Sequence, residues 1–301
     1  MQRPRQSVLS IIFLALVTAG LAFTAVFAHP GSGIVVDRRG QIYFIDTGQG
    51  VWRIDAQGRL AQREGPAFHW LAIDTGGRFV KTRLPSSPDA EMKAIGADPT
   101  LIVSSDFPVT VGSDGALYYP ELGSDGRLRI FRVTPSGARA VFATLPAATE
   151  SGPLRWLNGI AAGPDGAIYY TENQAIRRIT RQGTLSTVVA KVAVPGCVRP
   201  PGWEAPLGSY LRGLDVASNG TVFVAATGCG AVLKIEADGK TSVVLRAERP
   251  WSPTAVAVGG KDLYVLEYLH TAAEHRREWV PRVKKVSPGG AAILLATVER
   301  R

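Results

Sequence analysis

The sequence predicts an all-β protein: a six-bladed β-propeller of four-stranded antiparallel blades, behind an N-terminal export segment. Three observations carry this. A motif of apolar strand, Asp/Asn-Gly turn and aromatic strand recurs six times. The copies fall roughly 45 residues apart, the spacing of propeller blades. No window holds a sustained apolar stripe at i, i+3 and i+4, so helices are not expected.

Composition sets the bounds. At 301 residues, 46% apolar and 20% charged, the chain is globular. That excludes a disordered tail protein and a collagen-like one. Thirty-three Gly and 20 Pro make it turn-rich without low complexity. The net charge of +9 is spread along the chain with no basic run, so nucleic acid is not an expected partner.

The first segment stands apart from the repeats. Arg3 and Arg5 precede an apolar stretch over 8–28, closed by the small residues Ala25, Val26 and Ala28. This is the pattern of a signal peptide. Its length also approaches that of a membrane span, so an N-terminal anchor stays open. Either way 29–301 is expected outside the cytoplasm of a bacterial cell, periplasmic or secreted, with membrane contact only through 8–28. Loss of 1–28 removes two Arg and no acid, which takes the charge from +9 to +7.

The repeats then follow in order. The first copy is GIVVDRRGQIYFIDTGQGVWRIDAQG, from Gly33 to Gly58. Others begin at Val109, Gly159, Gly213 and Ala255, and a weaker one, LAIDTGGRFVK, at Leu71. Tyr43, Phe44, Tyr118, Tyr119, Tyr169, Tyr170, Phe223 and Tyr264 are strand formers. Gly40, Gly115, Gly166 and Gly220 suit hairpin turns that need positive φ. Stacking such sheets around an axis buries both faces of each.

A resemblance enters here. The unit GIVVDRRGQIYFID looks like the NHL repeat, and GPDGAIYYTENQAIRRITRQG looks like blades of streptogramin lyases. Leu157-Asn158-Gly159-Ile160 is similar to a strand opening of the SMP-30/gluconolactonase family. The resemblance covers 33–298 and implies a propeller, but these families share one blade grammar across different functions.

Loop lengths point to one face. In a blade whose strands run outward from the axis, the Asp-Gly turns lie on one side. The second-to-third-strand loops and the inter-blade loops lie on the other, the mouth. The long segments 146–156, 194–210 and 268–279 all map to the mouth. Function tends to reside on such loops. Cys197 and Cys229 fall in two mouth loops of one blade, and two cysteines in an exported chain favour a disulfide.

The family resemblance implies particular chemistry. SMP-30-like hydrolases hold a calcium ion on the axis through Glu, Asn and Asp, which polarises an ester or lactone carbonyl. Asn158 matches the Asn. Arg212 stands where the Asp is expected, and Gly31-Ser32-Gly33 lacks the Glu. Streptogramin lyases use a His and a Glu with magnesium. His69, Glu267 and His270 are the candidate acid–base residues here. The loop around His270, His275, Glu274 and Glu278 reads equally as a solvated helical turn. Asp46, Glu121, Glu172 and Glu267 end second strands at matching places, as a cation-binding ring or as caps on backbone amides.

The leading expectation is a recognition propeller. It would bind a small molecule or a protein at a mouth lined by Arg155, Trp156, Arg199, Trp203 and Arg212, with Asp106, Asn158 and Glu172. The alternative is a lactonase, esterase or lyase using Ca2+ or Mg2+. A closed ring leaves no free sheet edge, so a monomer is expected. No G-x-S-x-G elbow and no phosphate loop appears.

Overall fold

A computed structural model describes residues 33–46, 50–64, 70–74, 79–80, 99–104, 108–146, 157–199, 209–269 and 280–299. It holds five four-stranded antiparallel blades. The first is β1 (Ile34–Val36), β2 (Ile42–Asp46), β3 (Gly50–Ile54) and β4 (Leu60–Glu64). The second is β8 (Thr110–Val111), β9 (Leu117–Leu122), β10 (Leu128–Val133) and β11 (Arg139–Thr144). The third is β12 (Ile160–Ala162), β13 (Ile168–Glu172), β14 (Ala175–Ile179) and β15 (Leu185–Val189). The fourth is β16 (Leu211–Val216), β17 (Val222–Ala226), β18 (Ala231–Ile235) and β19 (Thr241–Arg246). The fifth is β20 (Trp251–Gly259), β21 (Asp262–Leu269), β22 (Pro281–Val286) and β23 (Ala292–Thr297).

The expectation of six blades is therefore corrected to five. Between the first and second blades lies a three-stranded sheet of β5 (Trp70–Asp74), β6 (Phe79–Val80) and β7 (Pro99–Ser104), in the order β6-β5-β7. β5 is central, not innermost. It pairs with β6 through only Ala72↔Val80 and Ile73↔Phe79, and with β7 from Trp70↔Ser104 to Asp74↔Pro99. β7 instead lies beside β1 on one side and β8 on the other, so the inner ring closes through it.

The first four of these blades carry the same local devices. The turn glycines Gly40, Gly115, Gly166 and Gly220 have φ of +74°, +73°, +74° and +83°. An acid or amide in the turn caps it: Asp37, Asp114, Asp165 and Asn219 each accept a backbone N–H two residues on. In all five blades the pairing of third with fourth strand shifts register, for example between Val51 and Trp52 and between Val283 and Lys284. Such a bulge adds twist to the outermost strand.

Side chains alternate across each sheet, and both faces are buried. On β13, Ile168 and Tyr170 pack toward the second blade, and Tyr169 packs toward the fourth. This is why consecutive tyrosines suit the second strands. Tyr118 and Tyr169 also reach the turn side. Tyr118 donates its hydroxyl to Asp114 at 3.0 Å, and Arg132 binds both. Arg178 joins Tyr169 at 3.1 Å and Asp165 at 2.5 Å in the same arrangement one blade on.

The first and last blades meet directly. Ile34, Ile42, Phe44 and Ile54 pack with Ala255, Ala257, Leu266, Tyr268, Val283 and Val298. Fully buried Tyr268 donates its hydroxyl to the Ile45 carbonyl at 2.6 Å. Among the described residues no strand is exchanged between the two blades, since each four-stranded sheet is continuous in sequence.

Candidate functional site

The disulfide shapes the mouth of the fourth blade. Cys197 lies in the segment between β15 and β16, and Cys229 ends a short 3₁₀ turn, Thr227–Cys229, between β17 and β18. They are bonded, with their Cα atoms 4.7 Å apart. All three residues of the turn are buried, and Thr227 donates its hydroxyl to the Pro253 carbonyl at 2.7 Å. Two arginines hold the same loop from the other side. Arg246 donates to the carbonyls of Pro195 and Gly196, and Arg249 to that of Arg199 at 3.5 Å. Together these leave a cleft of about 540 Å³ whose walls include Val198, Cys229, Arg246, Arg249 and Trp251. Val198 is an exposed large apolar side chain, and the Arg199 side chain is also exposed.

Of the site residues read from the sequence, His69, Asp106, Arg155, Trp156, Trp203 and His270 lie outside the described residues. The rest have local partners. Asn158, half-buried, donates its amide to the Leu211 carbonyl at 3.0 Å and so ties the start of β12 to the start of β16. Arg212 is 7% exposed. Its carbonyl accepts the Thr171 hydroxyl at 3.3 Å. Glu172 pairs with Arg177 at 2.9 Å, and Glu121 with Arg139 at 2.7 Å. Glu121, Glu172 and Glu267, which end or near the ends of second strands, are thus each paired with an arginine.

These residues do not fit the calcium set that the family resemblance implies. A hard cation needs several converging oxygens. A buried guanidinium, Arg212, stands where the Asp is expected, and its positive charge would repel a cation there. Among the described residues no three His, Cys, Asp or Glu side chains converge.

The inner strands approach closely at Gly159. A Cβ there would stand 2.6 Å from the Arg212 carbonyl oxygen and 2.9 Å from Leu214 Cδ2. Gly159→Ala should lower stability by about 1–3 kcal/mol, as overpacking in a dense interior does. Denaturant unfolding checks this. A midpoint equal to that of the parent would mean that the blades move apart freely.

A second polar group lies in the fifth blade. Glu267 on β21 stands opposite Arg282 on β22, and its side chain is fully buried. Arg282 Nε donates to it at 2.6 Å, and Lys284 Nζ is 3.6 Å away. The Arg282 guanidinium lies 4.0 Å from the centre of the Trp251 ring, which lines the cleft. Glu267 was legible as a candidate, but Arg282, Lys284 and Trp251 were not. Their signal is the alternation Arg282-Val283-Lys284, which puts two cations on one face of a buried strand.

Between the fourth and fifth blades, Asp215 of β16 accepts the N–H of Val258 at 2.7 Å and of Val216 at 2.8 Å. Burial pushes its carboxyl up to about 6, against the pull of these two amides. The folded chain therefore holds this proton more tightly than the unfolded chain. The contribution is full below about 3.8 and is lost as pH rises through about 6, a change of about 3 kcal/mol. Asp215→Asn should remove that slope. Unfolding measured for both chains from pH 4 to 7 checks it. Parallel curves would assign Asp215 an ordinary carboxyl.

No protein-family model matches the sequence, and no curated protein matches it. Solved structures do. Virginiamycin B lyase from Staphylococcus aureus is 17% identical, with a TM-score of 0.51 over 90% of this chain and 85% of that one. A calcium-binding protein, regucalcin, from Agrobacterium tumefaciens is 16% identical, with a TM-score of 0.52 over 82% of this chain and 84% of that one. A gluconolactonase from Xanthomonas campestris is 15% identical, with a TM-score of 0.50 over 79% and 83%. At such identities the likeness speaks for architecture alone: the chain folds as a β-propeller, as those proteins do.

Proposed function

We propose that the chain is an extracytoplasmic recognition propeller that takes a ligand at its mouth face. The observation that carries this reading is the cleft beside the Cys197–Cys229 bond, where arginines and a tryptophan flank an apolar wall. Such a surface suits an anionic or aromatic ligand. The loop is covalently held, so little ordering cost attends binding. Export is supported by Arg3 and Arg5 ahead of the apolar stretch 8–28, and by a disulfide of the kind that persists in oxidising compartments.

A metal-assisted hydrolase or lyase has less support, because Glu172 and Glu267 are engaged with arginines and Arg212 stands where an Asp ligand is expected. The test of the binding reading is a ligand-detected NMR screen of aromatic and anionic fragments. Saturation transfer to bound fragments should disappear in Val198→Glu. Fragments that bind this variant as well as the parent would place recognition elsewhere.

A further inference from the structure

We infer that Glu248 occupies, from within the chain, the place of a ligand carboxylate, over a cation pair made by Arg282 and Lys284. The inference rests on the cleft being the binding site, since Trp251 joins the two.

The charge balance points to this. Arg282 and Lys284 have side chains only 9% and 10% exposed. Glu267 neutralises one of them from within the core. Among the described residues that leaves one positive charge in a poorly hydrated place with no second buried acid beside it, which is unfavourable without a counter-charge. Glu248 supplies it, but loosely. Its carboxylate is 3.6 Å from Arg282 Nη2 and 3.9 Å from Lys284 Nζ, both beyond hydrogen-bond length. Its side chain is 78% exposed, against 0% for Glu267.

Donor capacity is also left unused. Arg282 Nη2 is buried and makes no hydrogen bond among the described residues, and neither does Glu267 Oε1. A buried guanidinium nitrogen without an acceptor is rare in folded proteins. Glu248 closes a turn in which the Trp251 N–H donates to its carbonyl at 2.9 Å. Its backbone is therefore fixed while its carboxylate remains in solvent. A small carboxylate with an apolar or aromatic body meets both demands. Its charge replaces that of Glu248 on the two cations, and its body lies in the cleft against Trp251 and Val198.

The test uses the full chain with benzoate and its neutral isostere benzamide, titrated by NMR or calorimetry. Glu248→Gln removes the internal competitor, so benzoate should bind roughly tenfold tighter and benzamide should not change. Lys284→Met should remove the preference for benzoate over benzamide. Unchanged or weaker benzoate binding in Glu248→Gln overturns the inference. If benzamide then still binds and is lost in Val198→Glu, the cleft reading survives alone. If neither probe binds any of these chains, both readings fall together.

Discussion

Glu267→Ala is expected to lower the unfolding free energy by about 3–5 kcal/mol, the range for breaking a buried ion pair from one side. The carboxylate is fully buried and accepts from Arg282 at 2.6 Å. Its removal leaves two side chains that are 9% and 10% exposed, both cationic, with the solvent-facing Glu248 as the one acid beside them among the described residues. Both cations keep only slight contact with bulk water. The comparison that isolates charge from shape is the triple change Glu267→Leu, Arg282→Met, Lys284→Met. It keeps the volume, removes every buried charge, and should recover most of the loss. Denaturant unfolding of the single and triple variants decides it. A loss below about 1 kcal/mol for the single variant would mean that water enters the group.

Cys197→Ser should cost up to about 3.7 kcal/mol, from the chain-entropy model for a closure of 32 residues. That figure is an upper bound, because Arg246 and Arg249 still hold the carbonyls of Pro195, Gly196 and Arg199. The larger change should be local. Amide exchange should rise in 192–199 and in 227–230, while the amides of β12 to β14 keep their protection. Thermal unfolding and hydrogen exchange of parent and variant, both without reductant, give the two readouts. Equal melting and equal exchange would show that the arginine latches alone define the loop.

Much of the architecture was legible before any coordinates. Strand and turn chemistry repeat locally, so Gly40, Gly115, Gly166 and Gly220 announced positive φ, and paired aromatics announced sheets buried on both faces. The disulfide followed from topology and an even cysteine count. The number of blades did not, because LAIDTGGRFVK satisfies the local grammar of a hairpin while β5 takes its long partner from β7, some 30 residues on. That choice is made by the neighbouring inner strands β1 and β8, not by local propensity. The roles of Asn158, Glu172 and Glu267 were likewise set by partners distant in sequence or on the next strand. Leu211, which accepts from Asn158, is 53 residues away. Residue type proposed a ligand set; cross-strand register assigned those groups to structural work.

The meeting of first and last blades has a consequence for how this chain could be rearranged. Many ring-shaped folds are locked by a strand that crosses from one end of the chain to the other. Here the lock is made of side chains: the Tyr268 hydroxyl on Ile45 and an apolar cluster that includes Val298. The seam is built like any other boundary between blades, so the position of the break in the chain is arbitrary with respect to the ring. A circular permutant that joins the two ends of the propeller and opens the chain in an exposed turn, such as the one at Gly126, would keep every sheet interface. It would convert the present seam from a non-covalent contact into a continuous one.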